Sequence, residues 1–269
     1  MAASLDLDAY FDRIGWRGGT RPDFDTLAGL LRAHTSRIPF ENLDVLLGRP
    51  VRLDLPGLQD KLVGAGRGGY CFEHATLFGA ALDALGFRTV RHAGRVVLFA
   101  PRTEVPRAHM FLTVALDGAR FVVDPGFGPF ASQLPLPLAD GAVPPDSGEP
   151  HRMVREGPLW VLRVRRDDGP QDGWVSTLEP ENPVDFEVAN HFISTHPRSP
   201  FVNGLMMSAV TQEGRVNVMN RDVTMVTGSG RRTARLADRA ALRAVLVKHF
   251  GFDLPEAEQI RVPAIPEWA

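Results

Sequence analysis

The chain has 269 residues, 44% of them hydrophobic, and 30 Lys and Arg set against 32 Asp and Glu give a formal charge of −2. That is enough apolar material for one large or two to three small cored domains, and the scattered cationic residues exclude a nucleic-acid footprint. No apolar run approaches a membrane span, no basic-then-apolar leader opens the sequence, and a single cysteine excludes intrachain disulfides, so a soluble, cytoplasmic protein with no membrane partner is expected.

The first 90 residues read mainly as helices. Leu27, Leu30, Leu31, His34 and Ile38 form a helical stripe, with Pro22 and Asp23 near its start. His34 lies on that apolar stripe and reads as a packed core histidine. Gly64-Ala65-Gly66-Arg67-Gly68-Gly69 is glycine-rich, but no Walker lysine follows, so it is not a P-loop. A helix then begins at Cys71, carries Leu77, Phe78, Ala81, Leu82 and Leu85 on one face, and stops at Gly86.

From Arg88 to about Asn190 the chain looks β-rich. Strands are expected over Thr89–Phe99, His109–Leu116, Ala119–Asp124, Leu159–Arg165 and Trp174–Leu178. A proline-rich loop from Pro129 to Pro150, with Gly141 and Gly148, would shape a pocket wall. Short strands follow, with turns at Glu213-Gly214 and Gly228-Ser229-Gly230. A last helix is expected from about Asp238 to Phe250, closed by Gly251.

Cys71 is the candidate nucleophile. Backbone N–H groups at a helix N-terminus favour negative charge, so its thiolate is stabilised. Gly68 and Gly69 permit a tight entry turn. A partner follows 38 positions later, at His109. Asp117-Gly118 is a strong two-residue hairpin signal. With that loop, Leu116 opposes Ala119 and Asp124 falls opposite Phe111. His109 and Asp124 then become diagonal neighbours on one sheet face, within reach of an imidazole–carboxylate hydrogen bond. A three-residue loop would flip one strand and break this arrangement.

These residue types belong together chemically. An imidazole removes the thiol proton, and a carboxylate on the other ring nitrogen fixes the tautomer and stabilises the imidazolium. Backbone N–H groups at the start of the helix are placed to hold an oxyanion. Acyl transfer and hydrolysis both remain open on this set. A metal is not indicated, because the eight histidines and one cysteine form no His-x3-His pair and no zinc-like spacing. His74, three residues after Cys71, projects near the same helix face; His196 reads as structural.

The chain resembles the arylamine N-acetyltransferases over nearly its full length. The blocks that carry the resemblance are Tyr10-Phe11-Asp12-Arg13-Ile14-Gly15, Ile38-Pro39-Phe40-Glu41-Asn42-Leu43, the segment Arg67 to His74, His109-Met110 with Asp124-Pro125-Gly126-Phe127-Gly128, and the segment Ser194 to Phe201. The resemblance implies an α+β, papain- and transglutaminase-like architecture in three parts: a helical bundle over residues 1–90, an antiparallel β-barrel-like domain over 91–205 and an α/β lid over 206–269. It implies acetyl-CoA as acyl donor, no metal, and a small aromatic amine or hydrazine as acceptor. Cys71 would be acetylated, with His109 as base and Asp124 as its orienter. Phe40, Val96 and Phe127 would wall the acceptor pocket, and Gly126, Phe127 and Gly128 would lie by the cofactor. An amide synthase on the same scaffold, a Cys-dependent hydrolase and a ligand-binding module are the rival readings.

Two positions depart from the family pattern. Ala75 stands where the family commonly has Asn, so a hydrogen-bonding side chain near the helix start is missing. Pro125 stands where Val is frequent, which biases Asp124 towards extended backbone.

Overall fold

A computed structural model describes residues 4–143, 151–166 and 169–269. Residues 144–150 of the proline-rich stretch, Gly148 among them, lie outside the described residues. The N-terminal part holds α1 (Leu7–Ile14), α2 (Phe24–Arg37), the two-residue strand β1 (Phe40–Glu41), α3 (Leu43–Leu46), α4 (Leu55–Leu58) and α5 (Cys71–Ala84). Asp23 caps α2, its carboxylate accepting the Thr26 N–H at 3.0 Å. The expected stripe faces inward: Leu27, Leu30, Leu31 and His34 are all fully buried.

Helix α5 starts at Cys71, as its sequence position implies, and ends before Gly86, which takes the left-handed conformation at φ +84°. Leu77, Phe78, Ala81 and Leu82 share a core with Tyr10, Leu27 and Leu31 and with Leu112, Val114 and Val123 of the sheet. Fully burying each Leu or Phe of this face contributes about 1.5–3 kcal/mol. That anchorage holds the first turn, and so the thiol, in one place.

The strands β2 (Arg88–Val96), β3 (His109–Leu116), β4 (Ala119–Val123), β5 (Leu136–Pro137), β6 (Arg152–Glu156), β7 (Leu159–Arg166) and β8 (Gly169–Ser176) form one antiparallel sheet. Its order is β5-β4-β3-β2-β8-β7-β6. The two edges curl towards each other, and the Gly141 N–H after β5 donates to the Met153 carbonyl of β6 at 2.8 Å. The result is a nearly closed barrel. Asp117 (φ +48°) and Gly118 (φ +79°) make the two-residue turn between β3 and β4. Leu116 pairs with Ala119 and Leu112 with Val123, which is the expected register.

Some expectations are corrected. The β-rich stretch does not run to Asn190, because residues 183–195 form a helix, α6 (Pro183–Thr195). Asn182 and Asp185 exchange capping bonds at its start and Pro183 occupies its first turn, signals that the apolar, β-branched composition masked. The first barrel strand stops at Val96 rather than Phe99, and the Trp174 strand starts at Gly169 and ends at Ser176. Strand β6 went unread beside the proline-rich loop.

After α7 (Pro200–Asn203) come β9 (Met206–Thr211), β10 (Gly214–Met219), β11 (Asp222–Thr227) and β12 (Gly230–Arg235), then α8 (Arg239–Val245). The expected last helix is divided. Past Val245 it widens into a π-type turn over Leu246–Phe250, and Gly251 (φ +81°) ends it. The second sheet runs β1-β9-β10-β11-β12, so Phe40 and Glu41 pair with Ser208 and Met207 far along the chain. Strand β1 thereby ties the helical part to the C-terminal sheet.

Candidate active site

Cys71, His109 and Asp124 come together in the interior, at 3%, 2% and 3% exposure. Cys71 is the first residue of α5, His109 the first of β3, and Asp124 directly follows β4. Phe111 and Asp124 are the next positions beyond the last β3–β4 pair, and His109 lies diagonally across from Asp124 on the same face. His109 Nε2 donates to Asp124 Oδ2 at 2.7 Å, and the imidazole also hydrogen-bonds the Cys71 thiol. The thiol lies 3.9 Å from the Ala108 carbonyl.

Burial disfavours a charged imidazole, but the Asp124 carboxylate and the hydrogen bonds to Asp124 and Cys71 outweigh it and push His109 up to about 10. The Asp124 carboxylate thus favours the imidazolium form of His109. The imidazole stands within hydrogen-bond reach of the thiol, the geometry by which a base activates a cysteine nucleophile.

Three supports fix the nucleophile. The Tyr70 N–H donates to Glu73 Oε2 at 3.0 Å, closing the entry turn. The Tyr70 hydroxyl donates to Asn190 Oδ1 on α6, and Asn190 Nδ2 donates to the Val51 carbonyl at 2.9 Å. Gly126 packs directly on Cys71, where an added Cβ would lie 2.5 Å from Cys71 Cα. Its glycine thus serves close backbone approach to the nucleophile. Ala75 is fully buried in the apolar cluster around Tyr70, Cys71 and Phe72, so van der Waals packing occupies the place of the missing Asn.

The candidate pocket residues distribute around this centre. The Phe127 ring lies 5.0 Å from that of His109 and 5.8 Å from that of Phe130. Val96 pairs with Trp174 and packs in the same cluster as Phe127. Phe40 stands on the other side, parallel to the His74 ring at 6.5 Å and against Gly128, whose φ of +56° suits only glycine without strain. Arg215 of β10 donates to the Gly128 carbonyl at 3.0 Å and so braces the 126–128 loop from the second sheet.

A family model described as N-acetyltransferase matches residues 23–260. The arylamine N-acetyltransferase of Mycobacterium tuberculosis is 42% identical over 258 residues, covering 94% of this chain and 91% of that protein. The chain belongs to the arylamine N-acetyltransferase family. The solved structure of the Mycobacterium tuberculosis arylamine N-acetyltransferase superposes with a TM-score of 0.86 at 41% identity, covering 94% of this chain and 95% of that one. The arylamine N-acetyltransferase of Mycobacterium marinum in complex with CoA superposes with a TM-score of 0.88 at 39% identity, covering 94% of each chain.

In this arylamine N-acetyltransferase family member, sequence reasoning missed Trp174 as part of the site. Its Nε1–H donates to Asp124 Oδ2 at 2.9 Å, the same oxygen that accepts from His109, while its ring stacks on Phe111 at 4.0 Å. The other carboxylate oxygen, Oδ1, is buried without a hydrogen-bond partner. No local signal links positions 124 and 174, because β8 reaches the site only through its pairing with β2.

A second missed feature is a buried ion cluster behind the entry loop. Lys61 bonds Glu73 and Asp44, both at 2.7 Å, and Arg67 bonds Glu41 and Asp44, both at 2.6 Å. Burial, resisted by Lys61, lifts Glu73 to about 7. His196 stacks on Phe192 at 4.4 Å and its Nδ1 accepts the Arg198 N–H, which is the structural role expected of it. No group of three or more His, Cys, Asp or Glu among the described residues is arranged to hold a metal ion. No helix among them is long and apolar enough to cross a membrane.

Proposed function

We infer that this chain transfers the acetyl group of acetyl-CoA to the nitrogen of an arylamine or arylhydrazine through an acetyl thioester on Cys71. The single observation that carries this reading is the buried contact line from the Cys71 thiol through His109 to Asp124 in a chain of this family.

The proton ledger closes on these residues. The Cys71 thiolate attacks the thioester carbonyl, and backbone N–H groups at the start of α5 receive the developing oxyanion. The sulfur–carbon bond of the donor breaks, and the leaving CoA thiolate takes the proton of the His109 imidazolium. CoA departs, leaving acetyl-Cys71 beside a neutral His109. The acceptor nitrogen then attacks the acetyl carbon, His109 takes its proton, and the Cys71 thiolate leaves. The pair is back at its starting charge. Asp124 and its partner Trp174 hold the imidazole in the tautomer that both steps need.

Gly126, Phe127 and Gly128 border the cleft on the donor side, and Phe40, Val96 and Phe127 form apolar walls suited to an aromatic acceptor. Initial rates with acetyl-CoA and an arylamine varied together test the scheme. Parallel double-reciprocal lines are expected. Intersecting lines would overturn the covalent intermediate, and rapid loss of acetyl-enzyme without amine would point to a hydrolase.

A further inference from the structure

Beneath the first turn of α5 lies a buried polar chain that the triad does not use. The Tyr10 hydroxyl meets His34 Nδ1 at 2.8 Å, His34 Nε2 meets His74 Nδ1 at 2.9 Å, and His74 Nε2 meets the Pro39 carbonyl at 3.2 Å. All three side chains are at most 1% exposed. The far end fixes every proton. A carbonyl only accepts, so His74 Nε2 carries hydrogen. Burial holds His74 down to about 4 and pulls His34 down as well, so both rings are neutral at pH 7. His74 Nδ1 therefore accepts from His34 Nε2–H, and His34 Nδ1 accepts from the Tyr10 hydroxyl. One arrangement satisfies every atom of the chain: the other tautomer of His74 would set a buried donor against the His34 Nε2–H, and the other tautomer of His34 would set its bare Nε2 against the acceptor Nδ1 of His74.

The end of this chain is a functional position. The Pro39 carbonyl also accepts the Gly69 N–H at 3.2 Å, and the Glu41 N–H donates to the Gly69 carbonyl at 2.9 Å. Residues 39–41 are thus stitched to the turn that delivers Cys71. Phe40 lies between these bonds, its ring parallel to His74 and against Gly128.

We propose that His74 is a positioning residue for the acceptor site: its Nε2–H, held in one tautomer by Tyr10 and His34, fixes the Pro39 carbonyl and thereby the Phe40 wall. This rests on the acetyl-transfer reading, in which the amine docks against Phe40 after Cys71 is acetylated. His74 touches neither the thiol nor the donor in this scheme, so its loss acts on the second half-reaction.

The test uses the full chain with His74→Leu and His74→Gln, since the Gln amide carries an N–H near the position of Nε2. Acetyl-Cys71 formation from acetyl-CoA is followed by intact mass, and KM for an arylamine by steady-state rates. His74→Leu is expected to form acetyl-Cys71 within roughly threefold of wild type and to raise the amine KM roughly five- to tenfold, the loss of one buried hydrogen bond. His74→Gln is expected to recover most of that rise. An unchanged KM in His74→Leu, an equal loss in both half-reactions, or no rescue by Gln overturns the proposal. Where His74→Leu does not fold, His74→Gln and the wild-type tautomers decide: 15N spectra of histidine-labelled enzyme at pH 7 are expected to show both rings neutral and protonated on Nε2, and a charged or Nδ1-protonated ring overturns the proposal. A wild type that never takes the acetyl group refutes the acetyl-transfer reading itself, whatever the tautomers show.

Discussion

Gly126→Ala is expected to disable the nucleophile without touching a reacting atom. The added methyl would lie 2.5 Å from Cys71 Cα, 3.0 Å from the Cys71 carbonyl oxygen and 3.2 Å from its carbonyl carbon. Carbon atoms rest about 3.5–4.0 Å apart, so the backbone of Cys71 or of the 126–128 loop must yield by about 1 Å. Gly126 has no left-handed φ, so the methyl group itself is conformationally tolerated and the effect is steric. Overpacking of this kind costs about 1–3 kcal/mol of stability. A 1 Å misplacement at a reacting centre costs about 100-fold in rate. The assay is the rate of acetyl-Cys71 formation by rapid quench and intact mass, with thermal melts alongside. Gly118→Ala is the control: its φ of +79° makes alanine strained at the hairpin tip, yet no atom stands within 4 Å of the added methyl. It should lose about 1 kcal/mol of stability and keep its acetylation rate. Wild-type acetylation by Gly126→Ala, or equal rate losses in both variants, would refute the reasoning.

Trp174→Phe keeps the stack on Phe111 and removes the N–H bond to Asp124 Oδ2. Acetylation of Cys71 is expected to slow by about tenfold or more, the scale of a hydrogen bond to a charged group, and an unchanged rate by intact mass would contradict this role. Acid should weaken the fold through His34 and His74, whose folded values lie below the ordinary imidazole value near 6.5. The unfolded chain binds those protons first, so stability falls as pH drops from about 6.5 towards about 4, by up to about 1.4 kcal/mol per pH unit for each ring. His34 also faces Arg13, and His74 faces Lys61 and Asp124. Urea titrations at pH 7, 6 and 5 that give one constant stability would contradict it. Lys61→Met removes the cation that bonds the buried Glu73, leaving Arg67 on Glu41 and Asp44 and Arg49 4.0 Å from Asp44, and should cost about 3–5 kcal/mol in denaturant melts; a loss under 1 kcal/mol would show the Lys61 pairs to be dispensable.

The parts of the site legible in the sequence are those set by local rules. Asp117-Gly118 dictates a two-residue turn, the turn dictates the β3–β4 register, and the register brings His109 to Asp124. The helix start at Cys71 and its stop before Gly86 follow from apolar spacing and glycine placement. What stayed hidden depends on distant pairing. Trp174 joins the site because β8 lies beside β2; Phe40 is named through the family resemblance alone, since its place rests on the pairing of β1 with the distant β9. His34 was readable as a core residue, but its bond to His74 needs the crossing of α2 and α5, which no single segment encodes. The helix α6 was masked by β-prone residues whose capping partners, Asn182 and Asp185, are the stronger signal.

The central claim, that Cys71 carries the acetyl group between donor and acceptor, is tested most directly by intact mass after mixing the enzyme with acetyl-CoA and no amine, beside a Cys71→Ala variant. One acetyl group on wild type alone, discharged when an arylamine is added, is the predicted result. An unmodified wild type with its thiol still free, or an acetyl group that also appears on Cys71→Ala, would contradict it.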